Sequence, residues 1–254
     1  MSTQIPTVRA VRTSAKAFYA VMGLTTLAIA VLGFVPTYFA PLAKGAFAAP
    51  GIVHVHGLLF FAWMLMFCVQ AWLVYVGRTQ THRAFGLAGI SLATAMVCSV
   101  LMVTSAMVEL RSDAGFRQAA LAFTWVQVGG MSVFAGLIAA AIANVQRPET
   151  HKRLMLLATV SLLDAPIARW VIGFSGEVPT PGAPPPLAPI FTASLLADLL
   201  IVGAMAVDWR TRGRPHSAYL IGGAALLLFQ ITRQPIAESS AWAGIAAWMF
   251  SLGG

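Results

Sequence analysis

Four charged side chains stand out within long apolar runs of this sequence: Asp164 and Arg169 in one run, Asp198 in the next, Arg233 in the one after. An ionisable group in a hydrocarbon-length segment is costly and marks a functional site by default. Two acids and two bases sum to zero charge, as a buried set should. With 1.5 Å of rise per residue, Asp164 lies about 16 Å from one end of its run, and Arg169 and Arg233 about 24 Å. Asp198 lies about 15 Å in from the other end. Gln127 and Gln230 fall near the same level, and His56 lies at the depth of the two arginines. Guanidinium, imidazole and amide groups at one level suit an anionic or carbonyl-bearing ligand, because guanidinium binds carboxylate or phosphate with two parallel hydrogen bonds. Trp63, Trp125 and Trp170 supply flat apolar walls. A quinone, a small carboxylate or haem propionates fit this set. So does a purely structural arrangement, in which the ion pairs Arg169–Asp198 and Arg233–Asp164 fix helix register.

Spacing sharpens the expectation. His56, Trp63, Gln70 and Gly77 recur every seven residues and form one polar stripe, expected to face the protein rather than lipid. Asp164 and Arg169 are five apart, about 140° around a helix, and must face different neighbours. Pro166 between them frees a backbone carbonyl and is expected to kink the helix.

The histidines invite a metal or haem b reading. His82, His151 and His216 each stand at the start of an apolar run beside Arg or Lys, with Glu149 and Asp208 near in sequence. Flanking cations oppose a bound cation there. His54 and His56 are two apart and point to different faces of a helix. A haem at their level needs His56 with a methionine. Cys68 and Cys98 lie in apolar runs, where free cysteine packs as a small hydrophobe. No CxxC, HExxH, GxSxG or glycine-rich phosphate loop occurs, so the catalytic chemistry tied to those motifs has no support.

The elements that position these residues follow from composition. Of 254 residues, 59% are hydrophobic and 9% charged, and the mean hydropathy is +0.81. Soluble domains carry about 25% charged residues, so a soluble enzyme is excluded. Seven runs are long enough to span a bilayer as helices: roughly 18–40, 52–76, 85–108, 119–143, 154–175, 188–208 and 217–236. The fold class is an all-α polytopic bundle. Residues 1–17 form an N-terminal arm, 18–236 the membrane domain, and 237–254 an apolar segment with Trp242 and Trp248 that reads as an interfacial helix. The first run is too long for the core of a cleaved signal peptide.

The net charge of +8 then becomes a statement of orientation. Arg9, Arg12, Lys16, Arg78, Arg83, Arg147, Lys152, Arg153, Arg210, Arg212 and Arg214 fall on one side, against Lys44, Arg111 and Arg117 on the other. The basic side is cytoplasmic by the positive-inside rule, with the N-terminus inside and the C-terminus outside. Scattered over four short segments, these bases suit anionic lipid headgroups and not nucleic acid. The loop 176–189, with Pro184, Pro185 and Pro186, reads as a rigid connector. Three loops end alike, in Thr-His82-Arg83, Thr-His151-Lys152 and Pro-His216, which suggests one leading helix followed by three hairpins. Thr81 and Thr150 suit helix N-caps and could produce part of that pattern alone.

The stretch His56 to Gly86, with Trp63, Gln70, Gly77, His82 and Arg83, resembles uncharacterised multi-spanning bacterial membrane proteins with His-Arg loops. Arg147-Pro-Glu-Thr-His151-Lys152-Arg153, with Arg169 downstream, is similar to the same group, which implies an inner-membrane protein and no activity. The general plan also resembles b-type membrane cytochromes but lacks a histidine pair within helix interiors. A microbial rhodopsin is excluded because run seven has no lysine for a retinal Schiff base. Three functions stay open: a ligand-binding, redox-associated protein holding quinone or haem, a small-solute or anion permease, and a structural or assembly subunit.

Overall fold

The computed structural model describes residues 8–176 and 180–251, with side chains from Ala17 to Phe250. Glu177, and the side chains of Arg9, Arg12 and Lys16, lie outside the described residues. Every regular element among those described is a helix: α1 (Val8–Phe34), a π-helical turn (Val35–Phe39), α2 (Ala40–Ala43), α3 (Gly51–Tyr75), α4 (Thr79–Asp113), α5 (Arg117–Ala143), α6 (Pro148–Val160), α7 (Asp164–Ser175), α8 (Leu187–Arg212), α9 (Ser217–Ala237) and α10 (Ser240–Ser251).

Seven helical segments are long and apolar enough to cross a bilayer, and the chain is a multi-pass membrane protein. Span one joins α1, the π-turn and α2; span five joins α6 and α7. Large apolar side chains such as Leu58, Leu87, Ile221 and Leu228 are more than half exposed on the perimeter. Such a surface is stable only against lipid. α10 is too short to span and packs on α5, with Trp242 and Ala246 against Ala120 and Leu121.

Consecutive spans pack side by side, α3 on α4 and α4 on α5, while α1 closes on both α3 and α7. Span five is the most buried of the seven. Leu156, Leu157, Val160 and Leu163 are fully enclosed there, among α5, α8 and α9.

Two spans depart from regular helix, each at a proline. Pro36 stands in the π-turn of span one; the extra residue of a π-turn absorbs the carbonyl that the ring displaces. In span five, α6 ends at Val160 and α7 begins at Asp164. The kink expected at Pro166 is therefore a full break, and it precedes the proline. The ring clashes with the carbonyl four residues back, which is that of Leu162. The interrupted turn is closed instead by Ser161 N–H to Leu157 O and Leu163 N–H to Val160 O, both 2.9 Å.

The expected threonine caps are not formed. α4 and α6 begin at Thr79 and Pro148, with Arg78 and Arg147 as N-caps and no side-chain cap. Proline favours the first helical position because its missing N–H would be unpaired there; at Pro148 this fixes the start of α6 and leaves Thr150 inside the first turn.

Candidate functional site

The break in span five places Asp164 at the first turn of α7, where the helix dipole favours a carboxylate. Arg233 of α9 reaches it. Its Nη1 donates to Asp164 Oδ2 at 2.9 Å, and its Nη2 donates to Ser194 Oγ of α8 at 3.1 Å. Spans five, six and seven are thus tied through one guanidinium that is only 2% exposed. One turn away on α9, Gln230 Nε2 donates to Asp198 Oδ1 at 3.3 Å. Gln230 Oε1 is buried without a hydrogen-bond partner.

These groups line a small cavity. Gly130, Ser161, Asp164, Ser194, Asp198, Gln230 and Arg233 form its polar wall. Its volume of about 10 Å³ is room for roughly one water molecule. Gln230 and Arg233 also line a second, open cleft of about 360 Å³, with Leu187, Phe191, Gln234 and Glu238. Gln234 Nε2 donates to Glu238 Oε1 at 3.0 Å in that cleft. The two residues therefore border both the small cavity and the wider cleft.

Of the eight residues proposed from sequence as ligand-binding, the cavity gathers Asp164, Asp198, Gln230 and Arg233. Of the two expected ion pairs, Arg233–Asp164 forms and Arg169–Asp198 does not. Arg169 turns toward span one: Nε donates to Thr37 Oγ1 at 2.9 Å and Nη1 to Ala165 O at 2.6 Å, with the guanidinium 3.9 Å above the Phe34 ring. The five-residue offset from Asp164 sends the two side chains to different neighbours.

The other three lie elsewhere. His56 Nδ1 is 3.2 Å from Ser99 Oγ of α4. Ser99 already donates to Met96 O at 2.8 Å, so His56 is the donor. Trp63 is a core residue, edge-on to Phe134 and donating to Thr159 Oγ1 of α6 at 3.3 Å. Gln127 is half-buried on α5 and outside the cavity wall. The remaining tryptophans are apart from the cavity wall too: Trp125 packs on Trp242, and Trp170 is 40% exposed beside Phe174. The stripe on α3 does turn inward at Trp63 and Gln70, whereas Gly77 lies beyond the helix in a turn with φ of 82°.

A second polar cluster was not foreseen. At the basic end of the bundle, where α6 and α9 start and α8 ends, Arg153 and Asp208 form a buried, two-pronged ion pair through Arg153 Nε and Nη2. Arg153 Nη1 also donates to Glu149, which in turn accepts from Lys152 and Arg212, all at 2.8 Å. Tyr19 and Tyr219 share a hydrogen bond of 3.0 Å beside it. The apolar runs held no signal of it: Arg153 immediately precedes the run 154–175 and Asp208 ends the run 188–208, whereas in the structure each lies more than one turn inside its helix.

The histidines separate. His216 is the N-cap of α9. Its Nδ1 accepts from Ala218 N–H at 3.1 Å, and its own N–H donates to Asp208 Oδ2 at 3.1 Å. Burial, with Arg153 and Arg212 nearby, holds its imidazole below the usual histidine value. His82 and His151 come together, their ring centres 6.4 Å apart. No group of three or more His, Cys, Asp or Glu that could hold a metal occurs among the described residues.

No family model matches this chain, and neither a curated protein nor a solved structure matches it.

Proposed function

We propose that the cavity at the break in span five, together with the cleft beside it, binds a small ligand bearing a carboxylate or carbonyl oxygen. The observation that carries this reading is the double placement of Arg233 and Gln230, which line the small cavity and the wider cleft alike. Arg233 has five N–H donors; Asp164 and Ser194 engage two of them, which leaves donors for a ligand oxygen. Phe191 and Leu187 give the cleft an apolar wall, which suits a quinone ring better than a free inorganic anion. His56, Trp63, Gln127 and Arg169 act in this reading as supports of the surrounding helices.

A second reading is a small-solute permease. It is favoured by the break itself, since broken spans with acids near the midplane are how many transporters build their sites. In both readings the chain sits in a bacterial inner membrane with the N-terminus and the basic end cytoplasmic, on the charge asymmetry of the loops.

The test is ligand-induced stabilisation of the purified protein in nanodiscs, with decylubiquinone and sodium lactate as probes. The expected result is a raised unfolding temperature with one probe, lost in Gln230→Leu. No stabilisation by either probe overturns the binding reading. Uptake of labelled lactate into proteoliposomes, abolished by the same substitution, would decide for the permease.

A further inference from the structure

His82 and His151 each occupy the fourth position of their helix, α4 and α6. Their ring centres lie 6.4 Å apart in an edge-on arrangement, with the planes 85° apart. His151 Nδ1 lies 2.9 Å from Ala141 O. A carbonyl only accepts, so the ring proton sits on Nδ1, and Nε2 keeps its lone pair. The Nδ1 of His82 is buried with no partner. An unpaired buried nitrogen is rare and calls for a cause. The His151 ring is thus oriented through one nitrogen by a main-chain group, which is the support that metal-ligating histidines receive.

The spacing fits a single metal between them. Two metal–imidazole bonds of about 2.0–2.1 Å, laid end to end with the two ring radii, come close to the observed separation of the centres. A bent arrangement would bring the rings nearer, so the two ligands are trans. Among His, Cys, Asp and Glu side chains only these two come together here, since no larger group of them occurs among the described residues. Arg83 and Lys152 flank the pair in sequence, and Lys152 is engaged by Glu149 at 2.8 Å. Neutral ligands in a basic setting disfavour a bare dication.

We propose that His82 Nδ1 and His151 Nε2 form a two-histidine site for a bare monovalent copper ion, which takes trans imidazoles. The full-length protein in nanodiscs is titrated anaerobically with Cu(I) against a chromophoric chelator. One equivalent is expected to bind the wild type. Binding is expected to vanish in both His82→Ala and His151→Ala, and to persist in His216→Ala, whose ring is occupied as a helix cap. Elution profile and helicity establish that each variant is folded; where an alanine variant is not, His82→Gln or His151→Gln is read in its place. Failure of the wild type to bind Cu(I) stoichiometrically overturns the proposal, as does wild-type binding by the folded His82/His151 double variant.

Discussion

Gly33 lies against Pro166 so closely that a Cβ added to the glycine would stand 2.4 Å from the proline Cβ and 2.5 Å from its carbonyl oxygen. Spans one and five therefore touch backbone to backbone at the level of the helix break. Small residues permit this approach, which is how helices gain contact in a membrane where no hydrophobic effect drives them together. Gly33→Val is expected to destabilise the fold by about 1–3 kcal/mol, the range for overpacking, and more if α7 cannot shift. Thermal unfolding of the detergent-solubilised variant measures it; an unchanged midpoint would show that the contact is loose.

The buried pair Arg153–Asp208 makes a different prediction. Its side chains are 3% and 7% exposed. Removing one member of such a pair typically costs about 3–5 kcal/mol, because the other charge is left uncompensated, whereas replacing both by apolar groups is often neutral. Asp208→Leu alone should therefore be strongly destabilising, and Arg153→Met with Asp208→Leu should recover most of the loss. The double variant still leaves the His216 N–H without its partner and takes one of three cations from Glu149, so recovery should be incomplete. Equal destabilisation of the single and double variants would refute the pairing argument.

Asp164 and Asp198 are expected to respond unequally. Asp164 is the counter-charge of a buried guanidinium, so Asp164→Asn should cost as much as breaking the pair above. Asp198 accepts from the neutral Gln230 amide, and Asp198→Asn should cost no more than a single hydrogen bond, about 0.5–1.5 kcal/mol. Chemical denaturation of the two variants side by side checks the ranking.

The His216 cap gives a pH dependence with a definite sign. Its folded-state value lies below the ordinary 6.5, so the unfolded chain binds the proton more readily. Stability from this group is fully present above about 6.5 and is lost as pH falls from there through the depressed folded value. Protonation also removes the lone pair that accepts from Ala218. Unfolding midpoints between pH 8 and pH 5 should fall more steeply for the wild type than for His216→Asn, which caps without titrating.

The number of spans was legible because about 20 apolar residues are needed to cross a bilayer whatever the packing. The pair Arg233–Asp164 was legible as one of two options, since both residues are trapped at similar depth. The other option failed on rotation: depth follows from counting residues, but the facing of Arg169 depends on how α1 closes against α7. Arg153 and Asp208 were read as loop charges for a related reason. A charge near a span end counts toward orientation by its position in sequence, while its burial is decided by the packing of α6, α8 and α9. The place of the break was half legible. Pro166 announced it, but the steric conflict acts four residues upstream, on the other side of Asp164.

The link between Asp164 and Arg233 also orders events during synthesis. Span five is made two spans before span seven, and these are the two least apolar of the seven. Until α9 arrives, Asp164 lacks the guanidinium that hydrogen-bonds it, and an acid at a helix centre opposes insertion by about 2.5–3.5 kcal/mol. A chain truncated after span six is accordingly expected to hold span five poorly in the bilayer. Glycosylation-site mapping of the truncated and full-length chains would reveal it as a mixed population that the last span makes uniform.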